Sequence, residues 1–119
     1  MKFQETETVE SKKSTSELKE AVISIVAMLN KHQRGEVVFG IRNDGAVVSQ
    51  QVSDKSIRDV SKAIADHIEP KIYPVVEQVP IDGNQCIKVR VEGSEHPYYA
   101  YGRAYIRVGD EDRQLSAKE

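Results

Sequence analysis

The chain has 119 residues, 39% hydrophobic and 30% charged. That length suits one core and argues against a second. No apolar run approaches the roughly 18 residues that span a bilayer, and the polar, acidic opening from Met1 to Glu10 does not read as a secretory signal. A net charge of -2 excludes a protein that coats nucleic acid by bulk charge and leaves local basic patches as the electrostatic route. Cys86 is the only cysteine, which excludes an internal disulfide framework and a cysteine zinc site. The expectation is a cytoplasmic α+β domain over residues 1–119, not placed in a membrane, with one inert thiol in a strand.

In chain order, Thr6 to Lys12 predicts a first strand. Ser14 and Glu17 have capping-box spacing, ahead of a helix from about Ser16 to Lys31. Leu18, Ala21, Val22, Ile25 and Leu29 recur at helical spacing. Ile23, Val26 and Met28 widen that apolar face, so the helix should be largely buried. Gly35 is expected to break the chain. Glu36 to Ile41 predicts a central strand, Asn43-Asp44-Gly45 a tight turn, and Ala46 to Ser49 a short return strand. A second helix starts near Ser53 or Asp54, carries the stripe Ile57, Val60, Ile64 and Ile68, and stops before Pro70. Tyr73 to Ile81 and Gln85 to Val91 form a hairpin across Asp82-Gly83, and Ala104 to Val108 is the last strand. The first strand-helix-strand unit should place its strands in parallel. Gly109 to Glu119 is polar. Glu119 reads as a boundary inside a longer chain.

Most chemical signatures are missing. There is no phosphate-binding glycine loop, no dinucleotide fingerprint and no serine elbow. His32, His67 and His96 are scattered and read as solvated or capping side chains. Two patterns remain. Glu5, Glu7 and Glu10 sit near the N-terminus, and Asp44 follows the second strand; parallel strands would bring Glu10 and Asp44 to one end of the sheet. Such carboxylates are hard oxygen ligands for Mg²⁺ or Mn²⁺. On a straight strand, however, Glu5 and Glu10 face opposite sides, roughly 16 Å apart. The second pattern is basic: Lys12 and Lys13, then Lys31, His32 and Arg34, then Arg103 and Arg107 among Tyr98, Tyr99, Tyr101 and Tyr105. Cations meet phosphates and rings stack on unpaired bases. The alternative is ordinary surface charge with tyrosines half-buried at a sheet edge.

Glu5 with Val9-Glu10-Ser11-Lys12, Asn30, Gly35 with Gly40-Ile41, Asn43-Asp44-Gly45, Ile68-x-Pro70 and Ala104-Tyr105-Ile106-Arg107-Val108-Gly109 together resemble the Schlafen-type Alba-like family, also called the divergent AAA domain. The resemblance covers nearly the whole chain through the order and spacing of weak motifs. It implies an Alba-like α+β fold, a mixed sheet packed with two main helices. It also implies a module that precedes a second, C-terminal domain in bacterial transcriptional regulators or defence-type proteins. In Schlafen proteins the related core is an RNA endonuclease with three acidic residues, and Glu5, Glu10 and Asp44 would correspond, with Lys12 as the signature lysine. Ser11 replaces the family's usual phenylalanine, Lys31-His32-Gln33-Arg34 replaces a small or glycine-rich turn, and Ser49 stands where a glycine is common. ATP is not carried over, because no phosphate loop is present.

Three readings follow. In the first, Lys12, Lys13, Lys31, Arg34, Arg103 and Arg107 form a basic face that holds the backbone of DNA or RNA. In the second, Glu5, Glu10 and Asp44 hold Mg²⁺ or Mn²⁺ in a nuclease. In the third, the domain docks or forms a homodimer through an apolar edge around Tyr98 to Tyr105. Only the nuclease reading calls for a cofactor.

Overall fold

A computed structural model describes residues 3–95 and 97–116. Its elements are β1 (Val9–Lys12), a 3-10 turn (Thr15–Glu17), α1 (Leu18–His32), β2 (Arg34–Phe39), α2 (Asp54–His67), β3 (Ile68–Glu69), β4 (Val75–Ile81), β5 (Asn84–Glu92), β6 (Tyr99–Ala100), β7 (Arg103–Val108) and β8 (Glu111–Gln114). The α+β class is as the sequence implies, but the strands form two sheets. One has the order β1-β2-β5-β4 and the other β3-β6-β7-β8.

Local chemistry explains most boundaries. Ser14 Oγ accepts the Ser16 amide and caps the 3-10 turn. The Glu17 carboxylate reaches back one residue further than the capping box predicts, to the Lys13 amide at 3.0 Å. α1 ends where Gln33 takes a left-handed φ of 61° and donates its amide to Leu29. Gly35, expected to break the chain, lies inside β2 instead. Its lack of a side chain matters for packing, because a Cβ there would sit 2.8 Å from Met28 Cβ. α2 starts at a reciprocal Ser53–Ser56 capping box, in which each side chain satisfies the other's amide.

α1 is buried from Ser24 to Leu29 without a break, and at Ala21 and Val22 before that. A helix buried on all sides must be covered on more than one face. Here β2 of the first sheet packs on one side and β7 of the second on another. Val60 and Ile64 of α2 and Ile68 of β3 complete this core with Val37, Phe39, Ile87 and Val89. The opposite face of the first sheet is covered in part by Phe3, Val47, Val79 and Ile81 around Val38, Ile41 and Cys86. Cys86 lies in β5 and is buried, which pushes its thiol pKa up and keeps it protonated.

β1 and β2 are parallel, with Val9 opposite Glu36 and Lys12 opposite Phe39. β4 and β5 form the expected hairpin, turned by Asp82 and Gly83 at φ 49° and 78°. The return strand expected at Ala46 to Ser49 reduces to one bridge between Ile41 and Val47. Ser49 holds φ 77°, a left-handed conformation that glycine adopts without strain. β8 was not expected. It pairs with β7 from Val108–Glu111 to Tyr105–Gln114, across a turn with Gly109 at φ 63°. Among the described residues no helix is long and apolar enough to cross a membrane.

Candidate functional site

The predicted first strand is bent at its start. Thr6 and Val9 exchange backbone hydrogen bonds, Thr6 N to Val9 O at 2.9 Å and Val9 N to Thr6 O at 3.4 Å. This turn folds Glu5 back onto β1, where its Oε2 accepts from both the amide and the hydroxyl of Ser11 at 2.9 Å. Glu10 Oε1 accepts from the same amide at 3.1 Å. The roughly 16 Å separation of a straight strand is therefore removed, and two of the three candidate acids meet at one N–H. The segment also runs beside the Asp44 turn, since the Phe3 amide donates to Gly45 O at 2.9 Å.

The third acid does not complete a cation site. Asp44 Oδ1 accepts the Ala46 amide at 3.0 Å, and its Oδ2 faces Arg42 Nη2 at 3.1 Å. Glu10 gives its second oxygen to Arg107 Nη1 at 2.8 Å. Among the described residues no three His, Cys, Asp or Glu side chains are grouped to hold a metal ion. As arranged, Glu5, Glu10 and Asp44 do not fit Mg²⁺ or Mn²⁺, and no hydrolytic step is assigned to them.

The cation in this cluster is Arg107 itself. Its side chain is 0% exposed and bonds Glu10 and Asp112 through Nη1, both at 2.8 Å, and Thr6 O through Nη2 at 3.1 Å. Ser24 of α1 donates its hydroxyl to the other Asp112 oxygen. A charge taken from water needs such pairing to remain ionised. The network joins β1, α1, β7 and β8, and Arg107 does not reach the surface on which it was expected. Asp112 and Ser24 were not anticipated, because nothing local in the polar tail or the apolar helix marks them.

A second link lies nearby. The Glu7 carboxylate binds Lys31 at 2.8 Å and His32 at 2.7 Å, and accepts the Gly109 amide at 3.0 Å. The bonds from Lys31, His32 and that amide lower its pKa to about 2. Lys31, another expected phosphate contact, is thus held at the end of α1. Asn30 works beside it. Its side chain donates to the carbonyls of Tyr98 and Tyr105 at 3.0 and 2.8 Å and accepts the Tyr98 amide at 2.7 Å, tying α1 to the second sheet.

The remaining basic candidates are not gathered into one face. Lys12 and Lys13 lie at the far end of β1, opposite Phe39 and beyond. Arg34 starts β2, five residues before Phe39 and so roughly 16 Å away along the strand. Arg103 opens β7 in the other sheet. What these four share is that none has an ion pair or side-chain hydrogen bond among the described residues. Three of the four tyrosines around Arg103 are partly or wholly inside: Tyr98 is buried, Tyr105 packs on the core, and Tyr101 packs on the core and stacks on His67 at 4.5 Å.

Arg34 also borders a groove of about 830 Å³ at the end of the first sheet where β2 begins and β5 ends. Lys71, Tyr73 and Arg90 line it with Glu36, Glu92 and Glu95. Sequence reasoning missed Lys71 and Tyr73. Their signal was the cation-aromatic pair held between Pro70 and Pro74.

The sequence matches the family described as Schlafen, AlbA_2 over residues 5–116. No curated protein sequence matches the chain significantly. Among solved structures, the DIP2311 protein from Corynebacterium diphtheriae superposes with a TM-score of 0.73 at 17% identity, covering 92% of this chain. This chain spans only 22% of that protein. The N-terminal domain of a RecG-related protein from Nitrosomonas europaea gives a TM-score of 0.63 at 22% identity, covering 95% of this chain and 86% of that one. Both likenesses concern the fold.

Proposed function

This chain belongs to the Schlafen, AlbA_2 family, and from that premise we propose that it is a nucleic-acid-binding domain that holds the phosphate backbone through its unpaired surface cations. The observation that carries this reading is the division among its basic residues. Lys31 and Arg107 are held by carboxylates within the fold, whereas the side chains of Lys12, Lys13, Arg34 and Arg103 form no ion pair among the described residues. Cations left free in a chain of net charge -2 are available to displace counterions from a polyanion. The Nitrosomonas europaea neighbour is named for its relation to the ATP-dependent DNA helicase RecG, which points the same way. The small share of the Corynebacterium diphtheriae chain that is covered suits a module of a longer protein, a transcriptional regulator or a defence protein.

Fluorescence polarisation with labelled single- and double-stranded DNA and RNA tests the proposal. Log affinity should fall with log salt, by about 0.9 per phosphate neutralised on duplex DNA and about 0.7 on a single strand. Glutamate at Lys12, Lys13, Arg34 and Arg103 together should abolish binding. An absence of binding by the unmodified protein at low salt refutes it. The convergence of Glu5 and Glu10 on Ser11 keeps a nuclease as the second reading. Cleavage that requires Mn²⁺ and is lost in Asp44→Ala would replace the binding module with an enzyme, and would require Arg107 to leave Glu10.

A further inference from the structure

Tyr73 is 85% exposed, the most exposed large hydrophobic side chain among the described residues, and Val75 follows at 47%. Both line the groove beside Arg34. The ring does not hang from a loose loop. Ile72 is buried next to it, and Pro70 and Pro74 flank the segment. Proline fixes its own φ and confines the residue before it to extended geometry, so the backbone of Tyr73 is restricted. A ring displayed on a stiff support loses little freedom when something stacks on it.

The charges around it are mixed. Arg34 and Lys71 have no ion pair among the described residues. Arg90 has only a loose contact with Glu77 at 3.9 Å. Glu92 faces Arg34 across the β2–β5 ladder, and Glu95 lies on the same wall. A duplex would offer this groove mainly phosphates, which Glu36, Glu92 and Glu95 oppose. A single strand offers three complementary features at once: phosphates for the cations, base faces for the ring, and exocyclic amino donors for the carboxylates. The volume lies within the range of about 300–1,000 Å³ found for small-ligand sites, which suits one or two nucleotides.

We propose that this groove is a single-strand subsite, in which Tyr73 stacks on a base while Arg34 and Lys71 hold the flanking phosphates. The proposal rests on the nucleic-acid reading above and specifies its substrate as unpaired RNA or DNA. Polarisation titrations with a fluorescein-labelled 12-nucleotide single strand and its duplex separate the two. Stacking on one base is worth about 1–3 kcal/mol, so Tyr73→Ala should weaken single-strand binding by roughly 5- to 150-fold and leave duplex binding within about twofold. Tyr73→Phe should retain single-strand affinity, because the ring face remains. The pair Arg34→Gln with Lys71→Gln should reduce both the affinity and its salt slope. Unchanged single-strand affinity in Tyr73→Ala, or an equal loss on the duplex, overturns the subsite while the nucleic-acid reading stands. If the unmodified protein binds neither strand form at low salt, both fall.

Discussion

Two stretches of this chain mix cations with tyrosines, and the fold uses them in opposite ways. From Tyr98 to Arg107 most of the mixture is turned inward, with Tyr99 and Arg103 left exposed: Tyr98 is 2% exposed, Arg107 is 0% exposed, and Asn30 holds the backbone at Tyr98 and Tyr105. From Lys71 to Tyr73 the mixture is turned outward, with the ring in solvent and the lysine unpaired. Composition does not separate them, but partners do. Tyr98 to Arg107 runs through β6 and β7 against α1, so burying its side chains completes a core. Lys71 and Tyr73 sit on an irregular connection between two prolines, where only Ile72 has a core to enter. Cation-aromatic pairing in sequence therefore marks a binding surface only where no neighbouring element claims the side chains.

The strongest way to break this comparison is at Arg107. Arg107→Met removes the guanidinium and leaves the buried Glu10 and the partly buried Asp112 without a counter-charge. Removing one partner of such a buried pair costs about 3–5 kcal/mol, so urea denaturation should show a loss of that size. Adding Glu10→Gln and Asp112→Asn should recover part of it, because the uncompensated charges go as well. A surface role for Arg107 predicts almost no loss in the single variant.

The next effect belongs to Gly93, which lies where the two regions meet. A Cβ there would fall 2.2 Å from Tyr98 Oη, and that hydroxyl accepts the Glu95 amide at 3.1 Å. Gly93→Ala should force Tyr98 off its position and cost about 1–3 kcal/mol, the usual range for overpacking. Tyr98→Phe in the Gly93→Ala background should restore part of the stability. A neutral Gly93→Ala would show that Tyr98 is not fixed in the core. Tyr73→Ala is the opposite control. An exposed side chain away from caps and cores should change stability by no more than about 0.5 kcal/mol. A larger loss would mean that Tyr73 packs against the fold and is not free for a ligand.

What could be read from the sequence follows the range of the interactions. The Asp82-Gly83 hairpin, the start of α2 near Ser53 and its apolar stripe depend on neighbours a few residues away, and each was legible. The parallel pairing of β1 with β2 was legible through the crossover rule. The glycine missing at position 49 was also informative, because Ser49 does adopt φ 77°. The bend that returns Glu5 to Ser11 was not legible. Thr6 to Val9 contains no glycine, proline or asparagine, and the turn is held by Arg107 binding Thr6 O across 101 residues. Nor was β8, whose polar residues form a strand because β7 offers an unpaired edge. Of the six basic candidates, Arg107 and Lys31 have structural partners that lie 97 and 24 residues away, at Glu10 and Glu7. No local pattern distinguishes them from Lys12 or Arg34.

The smallest expected effect tests the outer half of that inward-turned architecture. Glu7 is pulled from an ordinary pKa of 4.5 to about 2 by Lys31, His32 and the Gly109 amide. A carboxylate with a lowered folded pKa adds stability that is fully present above its unfolded value and is lost as pH falls toward the folded one. The window is therefore pH 4.5 down to about 2, and above it the contribution is constant. Glu7→Gln should lower the urea midpoint at pH 6 and converge on the parent protein as the pH approaches 2. The groups involved are about one-third exposed, so added salt should narrow the gap at pH 6. A gap that persisted unchanged at pH 2 would assign the effect of Glu7 to packing between the end of α1 and the β7–β8 turn, and would remove the charge from the link.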